Sequence, residues 1–160
     1  MRVTEYDEKY RESVIKLMMD LQDHERTLSA DRPPSAEVSE NQLDYLLTAC
    51  TESVGRIYIA ITDLRAVGIM VIFQDQEHEG TQHVYPKYRK FCLVSDLVVS
   101  KECRGKGIAG LLMNKAYEYT KSLGYSYVRL SVLSSNTLAR SFYERSGFEL
   151  YEVTYRIELP

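Results

Sequence analysis

Tryptophan is absent from this 160-residue chain, phenylalanine occurs four times, and there are only three cysteines and four prolines. Cys50, Cys92 and Cys103 are odd in number and far apart, which suits free thiols in a reducing compartment better than a disulfide framework. They share no metal-ligand spacing, so no metal is expected. No apolar run approaches the roughly 18 residues that a membrane span needs. The first residues, Met1-Arg2-Val3-Thr4-Glu5-Tyr6-Asp7, are charged rather than apolar, so no signal peptide and no membrane partner are expected, and the location reads as cytoplasmic. A surplus of positive charge is missing as well. Lys and Arg number 20 against 23 Asp and Glu, a net charge of -3, and they form no basic block, which argues against a nucleic-acid partner.

What is present is the composition of a globular protein: 44% hydrophobic residues, 27% charged residues and 13 tyrosines. The length suits one domain, residues 1–160, with a core that needs neither disulfide nor metal. A short strand over about 2–6 precedes a helix that Asp7 caps, with Val14, Leu17, Met18, Leu21 and Leu28 on its apolar face. Pro33-Pro34-Ser35 breaks that pattern and starts a second helix carrying Val38, Leu43, Leu46 and Leu47. Residues 56–62 and 67–73 are rich in β-branched side chains and flank Asp63-Leu64-Arg65, the pattern of an antiparallel hairpin. A polar, irregular stretch over 74–90 leads to a strong strand over 91–99. The order thereafter is a helix over 107–123, a strand over 127–133, a helix over 137–146 and a last strand over 148–159. Ile108, Leu111, Leu112, Ala116, Tyr119 and Leu123 give the first of these helices a stripe that must pack on a sheet.

The junction Ser100-Lys101-Glu102-Cys103-Arg104-Gly105-Lys106-Gly107-Ile108-Ala109-Gly110 joins an apolar strand to an amphipathic helix. The first amides of a helix lack internal partners and lie at the positive end of its dipole, so this is an anion site or else a tight turn with solvated basic residues. Gly105-x-Gly107-x-x-Gly110 also matches the dinucleotide fingerprint. That fingerprint calls for an acid about 20 positions on, and 126–135 contains none. The ATPase-type phosphate loop fails because Gly105-Lys106 is not followed by Gly-Lys-Ser/Thr.

Read as Arg104-x-x-Gly107-x-Ala109, the turn resembles the pyrophosphate-binding motif of the GNAT superfamily of N-acetyltransferases. Asn136-Thr137-Leu138-Ala139-Arg140-Ser141-Phe142-Tyr143-Glu144-Arg145-Ser146-Gly147-Phe148 is similar to that family's second signature. The resemblance covers roughly residues 55–155. It implies an α/β fold of the α+β type, a mixed and mostly antiparallel sheet with two splayed parallel strands, flanked by helices. It further implies acetyl-CoA as cosubstrate and direct transfer to a primary amine of a small molecule or protein in a ternary complex. By position, the backbone of Leu97, Val98 and Val99 would hold the pantetheine arm and polarise the thioester. Arg104, Gly105, Lys106, Gly107, Ile108, Ala109 and Gly110 would hold the pyrophosphate, and Asn136 would contact the cofactor or cap its own helix. Tyr143 matches the family's general acid; the alternative is a tyrosine packed on Phe142 and Phe148.

Asp96 is a candidate base for the incoming ammonium, or a structural carboxylate that accepts hydrogen bonds. In a regular strand it shares a face with Cys92, Val94 and Val98; many relatives carry the acid one position earlier, at Ser95 here, and a bulge would change which residue faces the cleft. Glu25, Asp75, Glu77 and Glu79 would make the substrate path acidic and favour a cationic amine, or are solvated. A non-catalytic CoA-binding module and an enzyme for longer acyl groups stay open, as does the oligomeric state, a homodimer included.

Overall fold

A computed structural model describes residues 1–80 and 83–159; Thr81 and Gln82, inside the polar stretch, lie outside the described residues. β1 (Arg2–Glu5) is followed by a single 3-10 turn, Glu8–Tyr10, whose first amides are met by the Asp7 carboxylate, which accepts from the Lys9 N–H at 3.1 Å. The α-helix proper, α1 (Arg11–Leu28), therefore starts later than Asp7 alone suggests. Its buried face is Val14, Leu17 and Met18, one turn apart. Pro33 and Pro34 end the connection, and α2 (Ser35–Glu52) begins at once. The buried row of α2 is Ser35, Ser39, Leu43 and Leu46, so Val38 is displaced to its flank.

β2 (Arg56–Thr62) and β3 (Arg65–Gln76) form the expected hairpin. Thr62 pairs with Arg65, and the two residues between them, Asp63 and Leu64, have φ values of 48° and 62°, the left-handed conformation that matches a tight turn to the strand twist. β3 runs on to Gln76, where it pairs with the first residue of β4 (Lys90–Val99). The polar stretch is thus shorter than composition suggests, because a backbone ladder needs no apolar side chains at the end of a sheet. α3 (Ile108–Ser122), β5 (Val128–Leu130) and α4 (Thr137–Arg145) complete the order.

The sheet order is β1-β2-β3-β4-β5, antiparallel except for the parallel pair β4–β5. On one face Val14, Leu17, Leu43 and Leu46 of α1 and α2 pack on Ile57, Ile59, Ile69 and Val71. On the other, Ile108, Leu112, Met113 and Ala116 of α3 pack on Met70, Ile72, Cys92 and Val94, and Phe142 of α4 joins them. Leu111, expected in the α3 stripe, is exposed, and Met113 takes a buried place instead. The strand expected over 148–159 does not form a ladder, and the one expected over 127–133 is paired at only three residues. Alternation supplies a strand with a face, but only a neighbouring backbone makes it part of a sheet.

Gly55 sets the join between α2 and β2. A Cβ there would lie 2.8 Å from the Ile72 carbonyl oxygen, 2.8 Å from Phe73 Cβ and 2.9 Å from Cys50 Cα, and two of those atoms are backbone. Gly55→Ala should therefore cost about 1–3 kcal/mol by overpacking, read as a lower urea midpoint at unchanged m-value. An unchanged midpoint would show that the junction yields freely.

Candidate active site

The site begins with one extra residue. Val71 pairs with Asp96 but Ile72 pairs with Val94, so Ser95 is a β-bulge in β4. The bulge inverts the alternation. Cys92 and Val94, before it, pack under α3, whereas Val98, after it, packs with α1 and α2. Asp96 therefore shares a face with Val98 and not with Cys92 and Val94, which corrects the regular-strand expectation.

On that face the Asp96 carboxylate accepts a hydrogen bond from Ser95 Oγ at 2.7 Å. Burial pushes its pKa up, the Ser95 hydroxyl opposes the shift, and the negative charge of Glu25 on α1 adds to it. Tyr143, half-buried on α4, is pushed up to about 12 by burial and then by the charge of Asp96. Glu25, Asp96 and Tyr143 thus come from three elements and act on one another electrostatically. Glu25 is itself held by the Arg32 guanidinium, Nε to Oε2 3.0 Å.

Both readings of Tyr143 have a place in the fold. Its ring meets Phe142 and Phe148 edge-on at 5.4 and 5.7 Å between centroids, which fixes the phenol's position. Asn136 lies seven residues earlier, two turns along the same face. It is the N-cap of α4: its side-chain oxygen accepts from the Ala139 N–H at 3.1 Å, so the capping role is the one the geometry shows.

β5 accompanies β4 only from Cys92 to Val94, opposite Val128 to Leu130. Beyond that, Asp96, Leu97, Val98 and Val99 stay paired with β3 on one side and have no ladder partner on the other. At the top of this parting the chain passes through a 3-10 turn, Lys101–Cys103, and then Arg104, Gly105, Lys106 and Gly107, all exposed. Gly105 and Gly107 have φ values of 74° and 78°. Gly107 is the left-handed N-cap of α3 and supplies no side-chain cap, so the first α3 amides, those of Ile108, Ala109 and Gly110, are left for an anion. The Arg104 guanidinium turns back, its Nε donating to the Val99 carbonyl at 3.1 Å, which ties the turn to the end of β4.

The other expected acids lie elsewhere. Asp75 sits opposite Phe91, five residues and roughly 16 Å of strand away from Asp96, and accepts from the backbone N–H of Gln76 at 2.8 Å. Glu77 pairs with Arg129 at 2.7 Å, and Glu79 is exposed beyond it. Of the four, only Glu25 reaches the site. Ser95 was missed as a partner of Asp96; its signal was a second polar residue next to the acid in an apolar strand. Among the described residues no three His, Cys, Asp or Glu side chains gather as for a metal ion, and no helix is long and apolar enough to cross a membrane.

Comparison with known proteins gives the family and the fold. The model of the Acetyltransferase (GNAT) family matches residues 16–148, and the chain belongs to that family. N-alpha-acetyltransferase 30 of Schizosaccharomyces pombe is 31% identical over 102 residues, 64% of this chain and 63% of the relative. The chain spans less than two thirds of the length of the first curated relatives it matches, all named as N-acetyltransferases. Among solved structures, a mutant of the BH1408 protein from Bacillus halodurans superposes with a TM-score of 0.83 at 20% identity over the whole of both chains. The aminoglycoside 6'-N-acetyltransferase AAC(6')-IG from Acinetobacter haemolyticus gives 0.72 at 13% identity, over 100% of this chain and 99% of that one. Both share the mixed sheet flanked by helices.

Asp96 has a raised pKa, so the stability linked to its protonation is complete below the unfolded value of about 3.9 and is lost as pH rises through the folded value. At pH 7 its charge is a liability. Asp96→Asn keeps an oxygen for the Ser95 hydroxyl and should raise Tm at pH 7 by roughly 2–4 °C, the shift that about 1 kcal/mol produces in a domain of this size. The gain should vanish below about pH 4. A loss of stability at pH 7 would instead mark Asp96 as a carboxylate the fold requires charged.

Proposed function

We propose that this chain transfers an acetyl group from acetyl-CoA to a primary amine by direct attack within a ternary complex. The observation that carries the reading is the parting of β4 from β5 between an anion-binding turn at one end and the Asp96–Tyr143 pair beside it. The unpaired edge of Leu97, Val98 and Val99 would take the pantetheine arm as a strand takes its neighbour. The amides of Ile108, Ala109 and Gly110, with Gly105, Gly107 and the cations of Arg104 and Lys106, would take the pyrophosphate. Asn136 would donate its amide N–H to the arm.

Acetyl-CoA supplies the activated acyl group; the chain supplies positioning and proton traffic. The amine arrives as ammonium and gives its proton to Asp96, whose raised pKa makes it the stronger base. The freed lone pair forms the C–N bond and the C–S bond breaks; the thiolate takes the Tyr143 hydroxyl proton, Tyr143 takes the second proton of the acylated nitrogen, and Asp96 returns its proton to solvent. Burial and the charge of Asp96 push the phenol up to about 12, above the ordinary thiol range, which opposes the transfer. Proton uptake by Asp96 removes one of the two causes of that rise, so Tyr143 becomes the better acid as the thiolate departs. Base and acid are coupled through one charge.

Two carboxylates, Glu25 and Asp96, support a cationic acceptor, and the name of the fission-yeast relative supports an α-amine at the end of a peptide. Three free cysteines support a reducing, cytoplasmic setting. The test is thiol release from acetyl-CoA across a panel of polyamines, aminoglycosides and peptides with a free α-amine, with products confirmed by mass. Turnover with one class is expected; acetyl-CoA binding without turnover on any would leave a non-catalytic module. On the substrate found, Tyr143→Phe should lower kcat by about 10²- to 10⁴-fold with acetyl-CoA affinity little changed. A wild-type rate when chemistry limits kcat would remove Tyr143 as the acid.

A further inference from the structure

The Asp96 carboxylate is held by one neighbour. Its Oδ2 accepts from Ser95 Oγ at 2.7 Å, and among the described residues Ser95 is the only donor to it. The titrating groups that share its surroundings come from three helices: Glu25 of α1, Cys50 of α2 and Tyr143 of α4. Burial pushes the Cys50 thiol up to about 11 and the Tyr143 phenol up to about 12, so both are neutral at physiological pH. Glu25 is charged, and its charge is already met by Arg32. From β3 the residue opposite is Val71, which is apolar. No cation acts on Asp96.

The contact exists because of the bulge. Consecutive side chains of a regular strand point to opposite faces, so a serine cannot reach the carboxylate of the next residue. Where two residues oppose one, that alternation lapses, and the Ser95 hydroxyl closes on its neighbour. Ser95 is exposed and Asp96 partly buried, so the bond runs along the side of the carboxylate that faces water.

We propose that Ser95 is the positioning residue of the base: by holding Oδ2 it fixes the plane of the carboxylate and leaves Oδ1 as the atom that takes the acceptor's proton. The inference rests on the reading of Asp96 as the base in acetyl transfer. In that step an N–H bond of the ammonium breaks, its electron pair stays on nitrogen and an O–H bond forms at Oδ1. The Ser95 hydrogen remains on Oγ throughout. A hydroxyl that donates to a carboxylate favours its charged form, so Ser95 also keeps the base ionised over a wider range of pH than burial alone would leave it.

The test is a titration of the Asp96 carboxyl by carbon-13 NMR on the full chain, with the signal assigned by its loss in Asp96→Asn. Ser95→Ala should raise the midpoint by about one pH unit, and Ser95→Thr, which keeps the hydroxyl, should bring it back. The acid limb of kcat/KM is then followed with acetyl-CoA and three probes: spermidine, kanamycin and a tripeptide with a free α-amine. In Ser95→Ala that limb should move to higher pH with the midpoint, a loss of about tenfold on the limb and little change on the plateau. A serine that only supports the fold would lower Tm and leave the midpoint in place. The titration needs no acceptor: an unmoved midpoint in Ser95→Ala, or a raised one that Ser95→Thr does not correct, overturns the positioning role and leaves Asp96 standing as the base. A midpoint that moves with no acid limb to follow it, on any probe, overturns Asp96 as the base and the proposal with it.

Discussion

β4 follows β3 along its whole length but keeps β5 for only three residue pairs, and the rest of the molecule is arranged around that parting. Two neighbours that separate leave one edge of Leu97, Val98 and Val99 without a ladder, a state a backbone tolerates only if something else satisfies it. The Ser95 bulge adds the second half of the constraint. By inserting one residue it turns Asp96 away from the α3 side and toward α1, so the open edge and the carboxylate are presented together. The glycine turn then follows directly from the end of β4, pinned to it by Arg104 on the Val99 carbonyl.

The charge arrangement carries a cost in stability. Burial, and then the charge of Glu25, raise the pKa of Asp96, while burial, and then the charge of Asp96, push Tyr143 up to about 12. A fold selected for stability alone would place an amide or an apolar side chain there. Perturbed titrating groups of this kind cluster at functional sites.

Much of this was legible in the sequence because it depends on local pattern. The apolar spacing of α1, the prolines before α2, the hairpin about Asp63-Leu64-Arg65, and the glycine turn before α3 each announce themselves within a few residues, though Arg65 proves to be the first residue of β3. The bulge did not. Ser95 and Asp96 are both polar neighbours in an apolar strand, and period-two reading assigns the face of one from the other unless the pairing with β3 is known. For Asp75 and Glu77 the sequence leaves open a place beside the substrate or a solvated one, and the antiparallel ladder puts Asp75 at the opposite end of the sheet from Asp96. The segment 149–159 shows the converse: its alternation is plain, yet among the described residues no backbone pairs with it.

The most direct measurement is amide hydrogen exchange, residue by residue, on the full chain with and without acetyl-CoA. If the parting of β4 and β5 receives the cofactor, protection should rise at Leu97 to Val99 and at Ile108 to Gly110, with little change in β1 and β2. Protection confined to the outer edge of β5, around Tyr127 to Arg129 and Phe148, with Leu97 to Gly110 unaffected, would contradict the account.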